Sequence, residues 1–223
     1  MKASEKQKQF ITDAGHELKT PITVIATSLK VLEMESGENK WIDKSLAQTE
    51  KLRDLVNSLV SLSRLDEEQS PLKMAEFPIS EAISETAESF RDYAEANGHE
   101  LQLEIAPALT YTGDEYAIRQ LVSILLDNAV KYADEHACIK LSLEKGKKGP
   151  VIRTMNPCTG LTRQQVERLF DRFYRVDQSR TTGGFGIGLS MARSIAEGHK
   201  GSIKATCCEE NKIEFTVLLG KCV

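Results

Sequence analysis

No apolar run in this chain approaches the ~20 residues needed to cross a bilayer as a helix, and no secretory leader is visible at its start. The five cysteines, Cys138, Cys158, Cys207, Cys208 and Cys222, form neither a CxxC pair nor a repeated spacing. Zinc is therefore not indicated, and an odd count in a chain of this size reads as reduced thiols in the cytosol rather than a disulfide framework. There is no basic run either. The 29 Lys and Arg are scattered among 33 Asp and Glu, and the net charge of −4 argues against general nucleic-acid binding. What is present is 223 residues, 40% hydrophobic and 28% charged. That is the composition of a globular chain long enough for one or two domains with a real core.

The N-terminal third has helical periodicity. Residues from about Ser4 to Glu35 form one long pattern, Ser36 to Asn39 is a turn cluster, and the pattern resumes at Trp41 with Leu46, Leu52, Leu55, Val56, Leu59, Leu62 and Leu65 close to a heptad seam. Two helices of this length would each run roughly 40 Å. Alone they leave a large apolar face uncovered. A second copy covers it as a dimeric four-helix bundle; the alternative cover is the chain's own C-terminal part.

The polar stretch Asp66 to Pro71 marks a boundary. We read residues 1–68 as the hairpin, 69–76 as linker and 77–223 as a second domain. There the patterns predict a short strand at Phe77 to Ile79 and a helix capped at Ser80 and running to about Asn97. They continue with strands at His99 to Ile105, Ala137 to Leu143 and Val151 to Met155, helices at Asp114 to Ala133 and Gly188 to Glu197, and strands at Ser202 to Thr206 and Lys212 to Leu219. The expected fold class is therefore α+β multidomain, a long helical hairpin followed by an α/β sandwich with helices on one face of a mixed sheet.

Within the first helix, Phe10, Ile11, Ala14, Leu18, Ile22 and Ile25 form an apolar stripe that leaves His16 off it. Thr20 is four residues from His16 and three from Glu17, so each pair shares a surface, whereas His16 and Glu17 as neighbours do not face each other. Pro21 removes the hydrogen bond to the Glu17 carbonyl and predicts a kink at the histidine turn. The string His16-Glu17-Leu18-Lys19-Thr20-Pro21 resembles the H-box of sensor histidine kinases of two-component signalling, whose histidine accepts a phosphoryl group.

Later segments extend the resemblance in the same order. Asn128, Lys131 and Tyr132 share one helix face, and LLDNAVKY (125–132) is similar to the family's N-box, where the asparagine holds Mg²⁺. Ile124 departs from it, since many relatives carry another asparagine there. Leu169 to Arg175 resembles the F-box, whose aromatics, here Phe170, Phe173 and Tyr174, pack beneath the ATP-closing loop, with Arg172 and Arg175 as phosphate or interdomain contacts. The polar VDQSRTTG (176–183) reads as a short lid. Gly184, Gly186 and Gly188, followed by Leu189, can bring backbone amides and a helix start to a triphosphate. No Gly-Lys-Ser/Thr follows, so this is not a Walker A loop; it resembles the family's G2 box.

Asn156-Pro157-Cys158-Thr159-Gly160 stands where the family's G1 box reads Asp-x-Gly-x-Gly. Asn156 replaces the acid that accepts the adenine amino proton, and Cys158 replaces the first glycine. An amide oxygen keeps the acceptor but loses its charge, which predicts ATP binding weaker by about 1 kcal/mol. Glu209 to Lys212 replaces a common glycine-threonine turn.

The resemblance, spanning Phe10 to about Leu219, implies a dimerisation and histidine-phosphotransfer hairpin plus a GHKL-type (Bergerat-type) ATP-binding domain. It implies ATP and Mg²⁺ as cofactors, autophosphorylation of His16 with Glu17 orienting or deprotonating it, and transfer to an aspartate of a response-regulator receiver domain. The Glu17-x-x-Thr20 pattern implies the reverse phosphatase activity. A phosphatase-dominated or non-catalytic signalling dimer with a weakened ATP site is the alternative, and a chaperone- or topoisomerase-type ATPase a more distant one, since the H-box would have no purpose there. The start, MKASEKQKQF, runs into the first helix without a sensory region, so the expectation is a cytoplasmic fragment of a membrane-bound sensor kinase.

Overall fold

The computed structural model describes residues 18–19, 21–35, 37, 39–65, 72–176, 186–208 and 211–221. The chain divides into two compact units, Met1–Ser70 and Pro71–Val223.

In the first unit, helix α1 covers 21–35 and α2 is Lys40–Leu65. Gly37 ends α1 in a left-handed conformation, φ +74°, and its N–H donates to the Glu33 carbonyl at 2.9 Å. Asn39 opens α2 by accepting from the Trp41 N–H at 3.0 Å. Ile22 and Val56 form the buried apolar contact between the helices. Leu18 and Ile25, on the same stripe as Ile22, stay about half exposed, at 48% and 50%.

The second unit runs β1 (Ala75–Phe77), α3 (Ile79–Glu88), α4 (Arg91–Ala96), β2 (Glu100–Ile105), β3 (Tyr111–Gly113), α5 (Glu115–Tyr132), β4 (Cys138–Lys145), β5 (Pro150–Pro157), α6 (Arg163–Arg168), α7 (Gly188–Gly198), β6 (Ser202–Cys208) and β7 (Lys212–Leu218). The main sheet has five strands in the order β2-β4-β5-β7-β6. Only β2 and β4 are parallel; the other pairs are antiparallel. Register explains the sidedness. Leu103, Leu141, Thr154, Phe215 and Ala205 line up across the sheet, as do Ile105, Leu143, Ile152, Val217 and Ile203. Those rows face the helices, while Lys140, Ser142, Arg153 and Thr216 alternate onto the other face. Helix α5 packs against α3, α7, β4 and β5 and so occupies the middle of the covered face.

Three local expectations are corrected. Ile79 begins α3 rather than ending a strand, and Ser80 lies inside the helix with Pro78 at its N-cap. Ser80 instead donates its hydroxyl to the Ala106 carbonyl at 2.6 Å and accepts from the Leu109 N–H at 2.9 Å, pinning the β2–β3 loop. The helix expected to reach Asn97 breaks at Ser89 and Phe90. There the Ser89 hydroxyl bonds back to Thr86 at 2.7 Å, a local competitor of the helical ladder. Arg91 then reaches the Leu101 carbonyl at 3.2 Å, which fastens α4 to β2. Finally, β3 pairs with β1 as a separate two-stranded sheet, and α6 forms behind a capping box in which Thr162 and Gln165 satisfy each other's backbone N–H.

Candidate nucleotide site

A cavity of about 320 Å³ opens in the second unit between the C-terminal end of α5, the segment after β5, the segment after α6 and the start of α7. Its wall includes Asn128 and Tyr132 from α5, Asn156, Cys158, Thr159 and Gly160 from the end of β5 onward, Arg175 and Gly186 beside the glycine loop, and Leu189 of α7. Phe215 and Ile213 of β7 supply an apolar floor.

Each wall is held by identifiable chemistry. Asp114 caps α5, its carboxylate accepting from the Ala117 N–H at 3.0 Å and from the Lys73 N–H at 2.9 Å. The backbone N–H of Asp114 donates in turn to Nε2 of His199 at 3.0 Å. Because Nε2 accepts, the proton sits on Nδ1, which donates to the Ile195 carbonyl at 2.8 Å. Burial of the ring holds the His199 pKa below its ordinary value, with the Ile195 hydrogen bond and the Asp114 charge opposing. This junction joins the N-terminus of α5 to the C-terminus of α7. At the other end of α5, the Asp134 carboxylate accepts from the Thr159 N–H at 3.1 Å and from its hydroxyl at 2.7 Å. The Asp134 N–H donates to the Pro157 carbonyl at 3.1 Å. The loop after β5 is thereby clamped to the helix that carries Asn128.

Asn156 is the informative side chain. It is 1% exposed, and its amide nitrogen donates to the Pro157 carbonyl at 3.0 Å. That bond fixes which way the amide points. Its carbonyl oxygen is buried without a hydrogen-bond partner, in a residue that lines the cavity.

Gly186 is required where it stands. Its φ is +69°, and a Cβ there would lie 2.6 Å from the Tyr174 carbonyl oxygen and 2.8 Å from the Phe173 carbonyl carbon. Its own carbonyl accepts from the Phe173 N–H at 2.8 Å, which binds the aromatic segment to the glycine loop. Helix α7 has Ile187 at its N-cap position, and that side chain makes no cap to its first amides.

The other sequence-predicted residues fall as follows. Lys131 pairs with Asp127 at 2.7 Å and does not line the cavity. Phe170 sits behind the floor, edge to face with Phe215 at 6.2 Å. Gly188 lies where a Cβ would meet Ile124 at 3.3 Å, allowing α7 to approach α5. His16, Glu17, Thr20 and Gly184 lie outside the described residues, as do the lid from 177 onward, the predicted kink at the Glu17 carbonyl and the turn residues 209–210. Among the described residues no cluster of three His, Cys, Asp or Glu could hold a metal ion, and no helix is long and apolar enough to cross a membrane.

Sequence reasoning missed the Asp134–Thr159 clamp and the floor residues Ile213 and Phe215. The last two are visible in the alternation of β7; the clamp joins residues 25 apart and has no local signature.

A mixed sheet with helices on one face, a glycine segment opening a helix, and a buried acceptor in the cleft between them define a nucleotide-binding α/β sandwich. Comparison with known proteins agrees and extends this to both units. Residues 113–221 match the family described as histidine kinase-, DNA gyrase B-, and HSP90-like ATPase, and residues 6–68 match the His Kinase A (phospho-acceptor) domain. The sensor protein DltS of Streptococcus agalactiae is 33% identical over 201 residues, covering 90% of this chain and 51% of that protein. The sensor protein CiaH of Streptococcus pneumoniae is 32% identical over 226 residues, covering 97% and 49%. Among solved structures, full-length ShkA in complex with AMPPNP shares the fold with a TM-score of 0.78 at 21% identity, over 96% of this chain and 46% of that one. The chain belongs to the sensor histidine kinase family of two-component systems, and carries its catalytic core. It spans about half the length of the curated relatives it matches.

Proposed function

We propose that the chain autophosphorylates His16 from ATP and passes the phosphoryl group to an aspartate of a response-regulator receiver domain. The reading divides the chain into a phosphotransfer hairpin (1–68), a linker (69–76) and an ATP-binding domain (77–223). The observation that carries it is the unpartnered carbonyl oxygen of Asn156 in a cavity also lined by Asn128 and Gly186. An acceptor fixed in that direction suits the exocyclic amine of adenine. The bond is neutral where an aspartate's would be charge-assisted, so ATP affinity should be lower by about 1 kcal/mol.

The residues around it divide the remaining work. Asn128 offers one amide oxygen to Mg²⁺, which needs only one or two protein ligands when phosphates and waters supply the rest. When bound, the metal neutralises charge on the β- and γ-phosphates. Tyr132 and Leu189 flank the nucleotide, and Arg175 together with the amides of Gly184, Gly186 and Gly188 receives phosphate oxygens. Lys131 reaches the phosphates by releasing Asp127. His16 in its neutral form can attack the γ-phosphorus through one nitrogen while Glu17 takes or orients the proton of the other. Glu17 and Thr20 would also support dephosphorylation of the regulator. The half-exposed stripe of Leu18 and Ile25 supports a homodimer through the hairpin. In the intact protein this core would lie on the cytoplasmic side of a membrane-bound sensor.

The test is incubation with γ-labelled ATP and Mg²⁺, beside His16→Gln and Asn128→Ala. Acid-labile label that disappears in both variants is expected. Its absence from the parent at millimolar ATP, with the fold intact by circular dichroism, would overturn the kinase reading in favour of a phosphatase-dominated or non-catalytic signalling dimer.

A further inference from the structure

Cys158 occupies an unusual position. Along β5 the residues Ile152, Thr154 and Asn156 alternate onto the buried face. Cys158 continues that parity one step beyond the strand and lines the cavity. It is part-buried and not in a disulfide. Its backbone has little freedom: its N–H donates to the Asn211 carbonyl at 2.7 Å, Pro157 before it accepts from Asp134, and Thr159 after it is held by the Asp134 carboxylate. Two residues away, the Asn156 carbonyl oxygen is buried and unpartnered in the same cavity. The wall that holds this acceptor therefore also carries a thiol on a hydrogen-bonded stretch of backbone. A group attached to that sulfur would compete for the same space of about 320 Å³ that a nucleotide would fill.

We propose that Cys158 is a thiol-modification site for low-molecular-weight disulfides, with nucleotide and adduct excluding each other from the cavity. This rests on the nucleotide reading of the cavity given above. In the reaction the Cys158 thiol loses its proton to solvent, and the thiolate attacks one sulfur of the small disulfide. A new bond forms between Sγ and that sulfur, the original disulfide bond breaks, and the other half leaves as a thiolate. The protein thiol is oxidised to a mixed disulfide and one half of the reagent is reduced. An added thiol reverses the exchange.

Glutathione disulfide serves as the probe on the full chain, with adducts located by peptide mass spectrometry and binding of a non-hydrolysable ATP analogue measured by calorimetry. Treated protein should carry glutathione on Cys158 and bind the analogue at least tenfold more weakly, with full recovery after dithiothreitol. Saturating analogue should slow Cys158 modification at least fivefold while leaving the rate at exposed Cys207 unchanged. Cys207→Ser should keep the sensitivity. Cys158→Ser and Cys158→Gly, each compared with its own untreated baseline, should lose it. Failure of the untreated parent to bind the analogue overturns the nucleotide reading and this proposal with it. Normal binding by the parent, with Cys158 unmodified or with binding unaltered by its modification, overturns this proposal alone. Retained sensitivity in both Cys158 variants also overturns it.

Discussion

Ile22 and Ile25 lie three residues apart on one helix stripe, yet Ile22 is buried and Ile25 is half exposed. In the α/β unit, by contrast, the inward rows of Leu141, Ile152, Phe215 and Val217 are all sealed by α5 and its neighbours. Each inward side chain there has a sheet partner on either side and a helix above it. Among the described residues of the hairpin the buried hydrophobic side chains are Ile22 and Val56, while Leu18, Val24, Val31, Leu32 and Leu52 face out. One unit completes its core from its own residues; the other presents a surface that needs company. Association and local stability should therefore be separable by mutation.

The strongest way to break that contrast is Phe215→Ala. Truncating an aromatic sealed on the covered face of the sheet should cost about 3–5 kcal/mol. Because Phe215 also floors the cavity, urea unfolding and ATP binding should both suffer. Ile25→Asp tests the other side. If a second copy covers the hairpin, the loss per subunit is about 2 kcal/mol of apolar burial and the charge blocks re-closure. Sedimentation should then show a dimer becoming a monomer while the unfolding of the α/β unit stays where it was. Asp114→Ala should destabilise the α/β unit by about 1–2 kcal/mol, because it removes the cap of α5 and the acceptor for Lys73 together.

A pH series sharpens the same contrast. Burial lowers the His199 pKa, so the unfolded chain, with its imidazole near 6.5, takes up a proton first as pH falls. The stability tied to His199 is complete above about 6.5 and is lost as the pH drops toward the lower folded value. Denaturation midpoints of the α/β unit at pH 7.5 and 5.0 should differ in that sense, and His199→Gln should flatten the difference. The smallest expected effect is Thr162→Ala, which opens the capping box of α6 and should cost about 0.5–1 kcal/mol, read as a small shift of the urea midpoint.

Much of this architecture is legible in the residues. The alternation of β4 and β7 and the long period of α5 place those elements, because each has one face buried and one face open. The cavity wall was legible as far as chemistry marks it, at Asn128, Tyr132, Asn156 and the glycines. Ser80 misled because its hydroxyl has two uses: N-capping and, as found, bridging two backbone groups of a distant loop. The β1–β3 pair was hidden because its two strands lie far apart along the chain, and the Ser89 break because it rests on a hydroxyl bonding back to the Thr86 carbonyl, which no hydrophobic period marks. Lys131 looked like a phosphate ligand by its face, and only the side-chain geometry reveals its pairing with Asp127.

The two glycines of the cavity wall differ in what a population of variants could keep. Around Gly160 there is open space, and its φ of +86° is the main demand, so asparagine, which tolerates left-handed backbone better than most residues, can stand in at modest cost. At Gly186 every missense codon brings a Cβ into backbone atoms of Phe173 and Tyr174 that have nowhere to go. A saturation library selected for signalling should return glycine and some asparagine at 160, and glycine alone at 186.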